Sequence, residues 1–263
     1  MLIDLAVNPF DADVGEMVAM AVAAERAGYS AVWVADHFSG AVVDRRWSRD
    51  AFVCLGAMAA STTSIDLGLL VANMRNRHPA QLASAVNSLQ SLAPGRIRLG
   101  IGSGAVPDSR FAVEHEAIGT DLGTVTERRA MLTDSIRALR AIWAGERSVD
   151  TSSDVGYVAM EGIVDGAPCP PIVVGASAWP TIELALDAAD GVNVRRSGRL
   201  PEVLDRINAL RGDMFEVSVL DAYDDVVADP VRVADMADSG VDRLVLGISM
   251  PLHISRLAAL RLG

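Results

Sequence analysis

The chain has 263 residues, 51% of them hydrophobic, and carries 34 acidic against 23 basic side chains for a formal net charge of −11. That length and apolar fraction suffice for one large core, and the acidity excludes sequence-independent nucleic-acid binding, which needs cations on phosphates. Every basic residue is arginine, so Schiff-base lysine chemistry and the lysine of a nucleotide P-loop are also excluded.

Eight short Val/Ile/Leu-rich runs read as strands: 2–7, 31–35, 65–71, 96–101, 171–176, 191–195, 215–220 and 243–248. Continuous apolar runs of this length indicate strands covered on both faces. Helical stretches are predicted between and after them, at 13–27, 50–61, 79–92, 126–144, 180–189, 201–211, 230–239 and 253–261. In the first of these, Val14, Met17, Val18, Ala21 and Val22 recur at helical spacing, and Gly28 stands where a C-cap glycine belongs. Pro79, Pro180, Pro201 and Pro230 each sit near a helix start, where proline is tolerated.

Eightfold strand–helix alternation predicts an α/β (β/α)8 TIM barrel, one domain over 1–263, with a doubly wound open sheet as the rival. Segments 102–125 and 145–170 exceed what a βα loop needs, as functional loops often do. Cys54 and Cys169 lie far apart and form no CxxC, which reads as two reduced thiols. With no signal peptide and no apolar run of membrane-spanning length, the sequence reads as a soluble cytoplasmic protein.

In such barrels the chemistry sits at the C-terminal ends of the strands. "AVWVADHF" (31–38) therefore brings Asp36 and His37 to the mouth, a carboxylate beside a proton donor and acceptor. The structural alternative is that Asp36 caps a turn and His37 is a satisfied surface group. "LGIGSGAVP" meets the letters of GxGxxA at Gly100, Gly102 and Ala105. It follows the fourth strand, meets Pro107 and lacks the later acid of a dinucleotide site. A loop in which Gly102, Ser103 and Gly104 admit a ring or phosphate fits better, an ordinary tight turn being the alternative. "VVGASAWP" places Gly175, Ala176 and Ser177 before a helix start, which suits an anion or is a plain loop. "NVRRSGR" clusters Arg195, Arg196 and Arg199, whose forks suit carboxylates and phosphates unless they are solvated. "NMRNRHP" offers Asn73, Arg75, Arg77 and His78, the last as a possible helix cap. With Asn8, Asn73 and Arg75 are the candidates for substrate contact. The histidines at 37, 78, 115 and 253 form no HxH or HExxH, and Glu114-His115-Glu116 is a weak ligand set, so no metal is expected. No GxSxG elbow is present.

Taken together, "AERAGYSAVWVADHF" (24–38), "RHPAQLASAVNSLQSLAPGRIRLGIGSG" (77–104), "ERRAMLTDSIRALRAIW" (127–143) and "PIVVGASAWPTIELALDAADGVNV" (171–194) resemble the bacterial-luciferase-like superfamily of flavin and deazaflavin oxidoreductases. The Asp-His pair matches best its coenzyme F420-dependent branch. The resemblance implies a (β/α)8 barrel and hydride transfer between F420 and a small organic substrate. His37 is implied as proton donor or acceptor, and Asp36 as lying beside the ring. It implies that Leu69 and Leu70 form a strand-three bulge, often with a non-prolyl cis peptide, that backs the ring. Gly102, Ser103 and Gly104 would face ring and ribityl chain, Gly175, Ala176 and Ser177 the phosphate, and Arg195 and Arg196 an oligoglutamate tail or acidic substrate. The branch's sugar-phosphate dehydrogenases carry a glutamate just after the glycine-rich loop, where this chain has Ala105, and a lysine, which it lacks. A sugar phosphate is therefore a poor fit, and His37 is left without its usual acid partner. The chain is shorter than most relatives, so the resemblance implies trimmed loops and an open pocket. An FMN-dependent two-component monooxygenase and a non-catalytic flavin-binding relative are the alternatives, and a homodimer is expected.

Overall fold

The computed structural model describes residues 1–153, 157–158, 161–248, 254 and 257. Each of the eight apolar runs forms a strand, and the long amphipathic runs among the described residues form helices. In chain order they are β1 (Leu2–Val7), α1 (Val14–Ala27), β2 (Ala31–Val34), α2 (Ala51–Ser61), β3 (Asp66–Asn73), α3 (Pro79–Leu92) and β4 (Ile97–Gly102). Then come α4 (Val113–Ala117), α5 (Val125–Ala144), β5 (Ser148–Val149), β6 (Tyr157–Val158), β7 (Ile172–Gly175), α6 (Trp179–Ala188) and β8 (Gly191–Arg195). The described order ends with α7 (Leu200–Leu210), β9 (Glu216–Ala222), α8 (Tyr223–Ala228), α9 (Val231–Asp238) and β10 (Arg243–Ile248).

Parallel pairing runs β1-β10-β9-β8-β7-β4-β3-β2 and closes because β1 also pairs with β2. Closure excludes the open-sheet rival. The two-residue strands β5 and β6 pair antiparallel outside the barrel. Neither they nor α4 and α8 were expected from the sequence. The predicted helix at 230–239 starts one residue later as α9, with Pro230 at its cap. The predicted helix at 253–261 lies outside the described residues save 254 and 257. Helix ends follow their residues. Asp13 and Glu16 form a capping box on α1, and Gly28 closes it at φ 88°. Thr124 and Glu127 box α5, and Gly145 ends it. His78 accepts from the Ala80 N–H and caps α3, with Pro79 in its first turn.

Two cores result. The larger lies between the barrel wall and the helices and includes Leu5, Val32, Leu67, Leu99 and Val217. The smaller fills the barrel with Ala31, Trp33, Val173 and Val245, flanked by Ala6, Leu70 and Leu220. Trp33 fits only because Gly68 faces it: a Cβ there would stand 2.6 Å from the indole. Beneath Trp33, at the amino-terminal ends of the strands, charges close the barrel. Arg243 donates to both Asp4 oxygens at 2.9 Å and to Glu216 at 2.8 Å, Arg98 donates to Glu216, and the Trp33 Nε1 donates to Asp4. Paired this way, buried charges are tolerated as a unit, and losing one partner is costly. The plug leaves the opposite, carboxyl-terminal end as the functional mouth.

Candidate active site

His37 lies three residues past β2, at that mouth. Its Nδ1 is 2.8 Å from Oε2 of Glu114, and the other carboxylate oxygen accepts the backbone N–H groups of Phe38 at 2.9 Å and Ser39 at 3.0 Å. The Glu114 side chain is 2% exposed. Burial opposes its charge, but His37 and the two amides outweigh burial and hold the carboxyl below its usual range. A carboxylate only accepts, so Nδ1 carries the proton and Nε2 is left as the basic nitrogen of the neutral ring. Among the described residues Nε2 has no hydrogen-bond partner. The rings of Phe10 and Phe111 lie against the imidazole, with centroids 5.5 and 5.1 Å away. The expectation that Ala105 leaves His37 without an acid partner is thus corrected. The short helix α4 returns a carboxylate to the histidine from nine residues further along the chain.

Asp36 does not join this pair. Its two oxygens accept Nε and Nη2 of Arg77, each at 2.7 Å, and Arg77 also reaches Asp50, the N-cap residue of α2. Arg77 lies over the Phe52 ring at 4.5 Å. Asp36 is 6% exposed. Its fork ties the end of β2 to the starts of α2 and α3, a positioning contact.

The floor of the mouth comes from β3. Pairing with β4 shifts between Leu69 and Ala72, a bulge, and the Leu70–Val71 peptide bond is cis. Leu69 is 1% exposed, whereas Leu70 and Val71 are half-buried. Val71 presses on two glycines of neighbouring strands: a Cβ at Gly102 or Gly175 would come within 2.8 Å of it. The absent side chains leave a flat apolar floor of Leu70 and Val71, which suits a planar ring. Gly100 is glycine for a different reason, since a Cβ there would collide with the Leu69 carbonyl oxygen. Ser103 and Gly104 follow β4 on the same rim, Gly104 at φ 90° with Arg75 packed against it. In the turn after β3, the Asn76 amide is buried with neither atom hydrogen-bonded, a donor and an acceptor available to a polar ligand edge.

The residues expected at the substrate are engaged within the protein. Asn8 donates to the Ile248 carbonyl at 3.3 Å. Asn73 donates to Nε2 of buried His115 at 3.1 Å and accepts the Arg75 N–H. Arg75 reaches the Asp121 carbonyl and Met131 sulfur. The Ala105 N–H also points to His115 Nε2, at 3.4 Å. Glu114 and His115 therefore diverge, one to the 37–39 turn and the other to the third and fourth strand ends. The sequence offered Glu114-His115-Glu116 only as a weak ligand set beside an expectation of no metal; Glu114 and His115 turn instead to these two different partners.

On the far side of the mouth, Ala176 is buried and its N–H is taken by the Asn193 carbonyl, while Ser177 is exposed just before α6. That helix has no side-chain cap. Arg195 and Arg196 are exposed, and Arg196 is 3.7 Å from Asp221, which Arg232 also approaches. Within the Arg195, Arg196 and Arg199 cluster, Arg199 lies 3.9 Å from Glu202, and Arg195 alone has no carboxylate partner among the described residues.

A family model for luciferase-like monooxygenases matches residues 5–213. The chain belongs to that family. It is also similar by sequence to proteins named for F420. It is 34% identical over 179 residues to a Beutenbergia cavernae F420-dependent glucose-6-phosphate dehydrogenase, 67% of this chain and 51% of that protein. It is 32% identical over 176 residues to a Mycobacterium tuberculosis F420-dependent hydroxymycolic acid dehydrogenase, 66% of this chain and 47% of that protein. The chain thus spans about half the length of these relatives. In fold, this luciferase-like chain superposes on an F420-dependent secondary alcohol dehydrogenase, solved with an F420–acetone adduct, at a TM-score of 0.79. The identity is 16%, over 98% of this chain and 96% of that one. No helix among the described residues is long and apolar enough to cross a membrane.

Proposed function

We propose that this luciferase-like chain is an F420-dependent oxidoreductase acting on a small organic substrate at the carboxyl-terminal mouth of the barrel. The observation that carries the reading is the His37–Glu114 pair beside a flat floor, in a chain whose relatives by sequence are named for F420. When bound, F420 would supply or accept hydride. Leu70 and Val71 would back its ring, and Gly102, Ser103 and Gly104 would border it. Gly175, Ala176 and Ser177 would receive the phosphate, with Arg195 near an anionic tail.

The chain's own part is proton handling and positioning. Glu114 holds the proton on Nδ1 and keeps its carboxylate as counter-charge. His37 Nε2 can then take a proton from a substrate hydroxyl, or return one to a carbonyl in the reverse direction. The imidazolium that forms is stabilised by Glu114 at 2.8 Å. Asp36 contributes by fixing the strand end through Arg77 rather than by touching the reacting atoms.

We further read residues 1–263 as one cytoplasmic domain with two free thiols, working as a homodimer. Helices α2 and α3 contain no charged residue, although the protein is strongly acidic, and Val53 and Leu92 on them are 63% and 51% exposed. Light scattering should return twice the chain mass.

Fluorescence titration with F420 and, separately, FMN tests the cofactor. Tight binding of F420 alone is the expected result. Preference for FMN would move the assignment to an oxygen-activating monooxygenase of the same family, and binding of neither would remove the redox reading.

A further inference from the structure

The chain is poor in aromatic residues, with five phenylalanines in 263 residues. Two of them pack on His37 and a third, Phe38, is its chain neighbour, each arriving from a different connection. Phe10 follows β1, Phe38 follows β2 and Phe111 lies in the segment after β4. The imidazole contacts Phe10 at 5.5 Å and Phe111 at 5.1 Å, the latter nearly parallel at 26°. Phe38 is 43% exposed beside them, and Val106, on the same segment as Phe111, is 66% exposed. Independent segments have therefore brought apolar rings to His37, whose Nε2 has no hydrogen-bond partner among the described residues.

The cations around this end are mostly taken. Arg77 is forked on Asp36, Arg49 donates to the Ala12 carbonyl, and Arg46 pairs with Asp11 and lies over Trp47 at 4.1 Å. Glu114 is satisfied by His37 and two backbone amides. Arg110, over the Phe111 ring at 5.1 Å, and Arg45, in the turn after β2, are both exposed to solvent and have no carboxylate partner among the described residues. A phosphate dianion brought to His37 would lose water without gaining a guanidinium fork, which costs affinity. A flat apolar body would gain area and ring–ring contact.

We infer that the compound presented to His37 is uncharged and carries an aromatic or similarly flat apolar body, with Phe10 and Phe111 as its specificity-determining walls. This rests on the reading that the mouth at His37 is the place of reaction. It does not depend on which cofactor occupies the floor.

The test uses the full chain labelled with 13C at histidine Cε1, the His37 cross-peak being the one missing from His37→Gln. Acetophenone is the probe and glucose 6-phosphate the charged comparison. Acetophenone should displace the His37 peak by ring current, and Phe111→Ala should weaken its dissociation constant about tenfold. Phe111→Leu, which keeps bulk and loses the ring, should weaken it by less. Glucose 6-phosphate should leave the peak in place. A His37 shift with glucose 6-phosphate that disappears in Arg110→Gln would overturn the inference. So would no shift with acetophenone, or an affinity for it unchanged in Phe10→Ala and in both Phe111 variants. F420 titrated against the same samples separates the readings: failure to bind F420 with an intact acetophenone response would sink the cofactor assignment alone.

Discussion

Glu114 Oε2 lies 2.8 Å from His37 Nδ1, while Oε1 of the same carboxylate is held by the amides of Phe38 and Ser39. Four atoms thus fix one proton on one nitrogen and leave Nε2 as the working atom. Glu114→Gln should lower kcat/KM by about 10²-fold or more, because an amide turned to donate to Nδ1 forces the proton onto Nε2. His37→Ala should cost at least as much. Both should leave the F420 dissociation constant little changed, since neither side chain forms the floor. The double variant should be no slower than His37→Ala, as residues acting as one unit are not additive. Additive losses would mean that Glu114 acts independently of the histidine.

Asp36 and Arg77 form a different kind of pair. Asp36 is nearly buried, and the Arg77 side chain is 26% exposed. Asp36→Ala strands a guanidinium whose partial solvent access softens the loss, so unfolding should be easier by about 2–3 kcal/mol rather than the full cost of a wholly buried pair. Urea denaturation measures it. Activity should fall by less than in Glu114→Gln. A loss of turnover as deep as that of His37→Ala, at unchanged stability, would move Asp36 into the chemistry.

The eight strands were legible because barrel strands buried on both faces are continuous apolar runs, and Gly28 marks a helix end by backbone conformation alone. Gly102 and Gly175 were legible as required glycines, but the reason was not. They make room for Val71, a residue on another strand that only the bulge in β3 brings between them. Glu114 was quoted only inside a weak ligand set, and its pairing with His37 was not legible. Its partner is 77 residues away, and α4 is too short and too polar to leave an apolar period. The Asp36–Arg77 fork failed for the same reason: both residues lie in quoted motifs, and only the barrel places one beside the other.

Packing around the floor gives a sharper stability contrast. At Gly68 a Cβ meets the Trp33 ring at 2.6 Å, and the indole can shift only by disturbing its bond to Asp4. Gly68→Ala should cost about 1–3 kcal/mol. A Gly68 Cβ also meets the Arg98 carbonyl oxygen at 2.8 Å, but at Gly100 the nearest obstacle is itself backbone, the Leu69 carbonyl oxygen, which is closer still and cannot rotate away. Gly100→Ala should therefore exceed Gly68→Ala, and it should loosen the Leu69–Ala72 bulge as well. Thermal unfolding ranks the two, and hydrogen exchange of the β3 amides reports the bulge. Equal and small losses would mean that the strand relaxes freely.

His115 supplies a pH dependence of its own. Burial, with Arg75 and Arg128 nearby and only partly offset by Glu114, holds its imidazole below the ordinary value of 6.5. Asn73 Nδ2 and the Ala105 N–H both donate to Nε2, so the ring must be neutral there, with its proton on Nδ1. A proton on Nε2 would face two donors. The unfolded chain has no such restriction and binds a proton as pH falls through about 6.5. The folded chain refuses it, so the unfolded state binds more protons and stability declines as pH drops below that value. Above it this group contributes no slope. His115→Gln keeps an acceptor for Asn73 and Ala105 and removes the titration, so its Tm should fall less steeply than wild type between pH 7 and pH 5. Parallel Tm curves for the two proteins would show that His115 titrates alike in both states, and that the brace between the third and fourth strand ends does not depend on its charge.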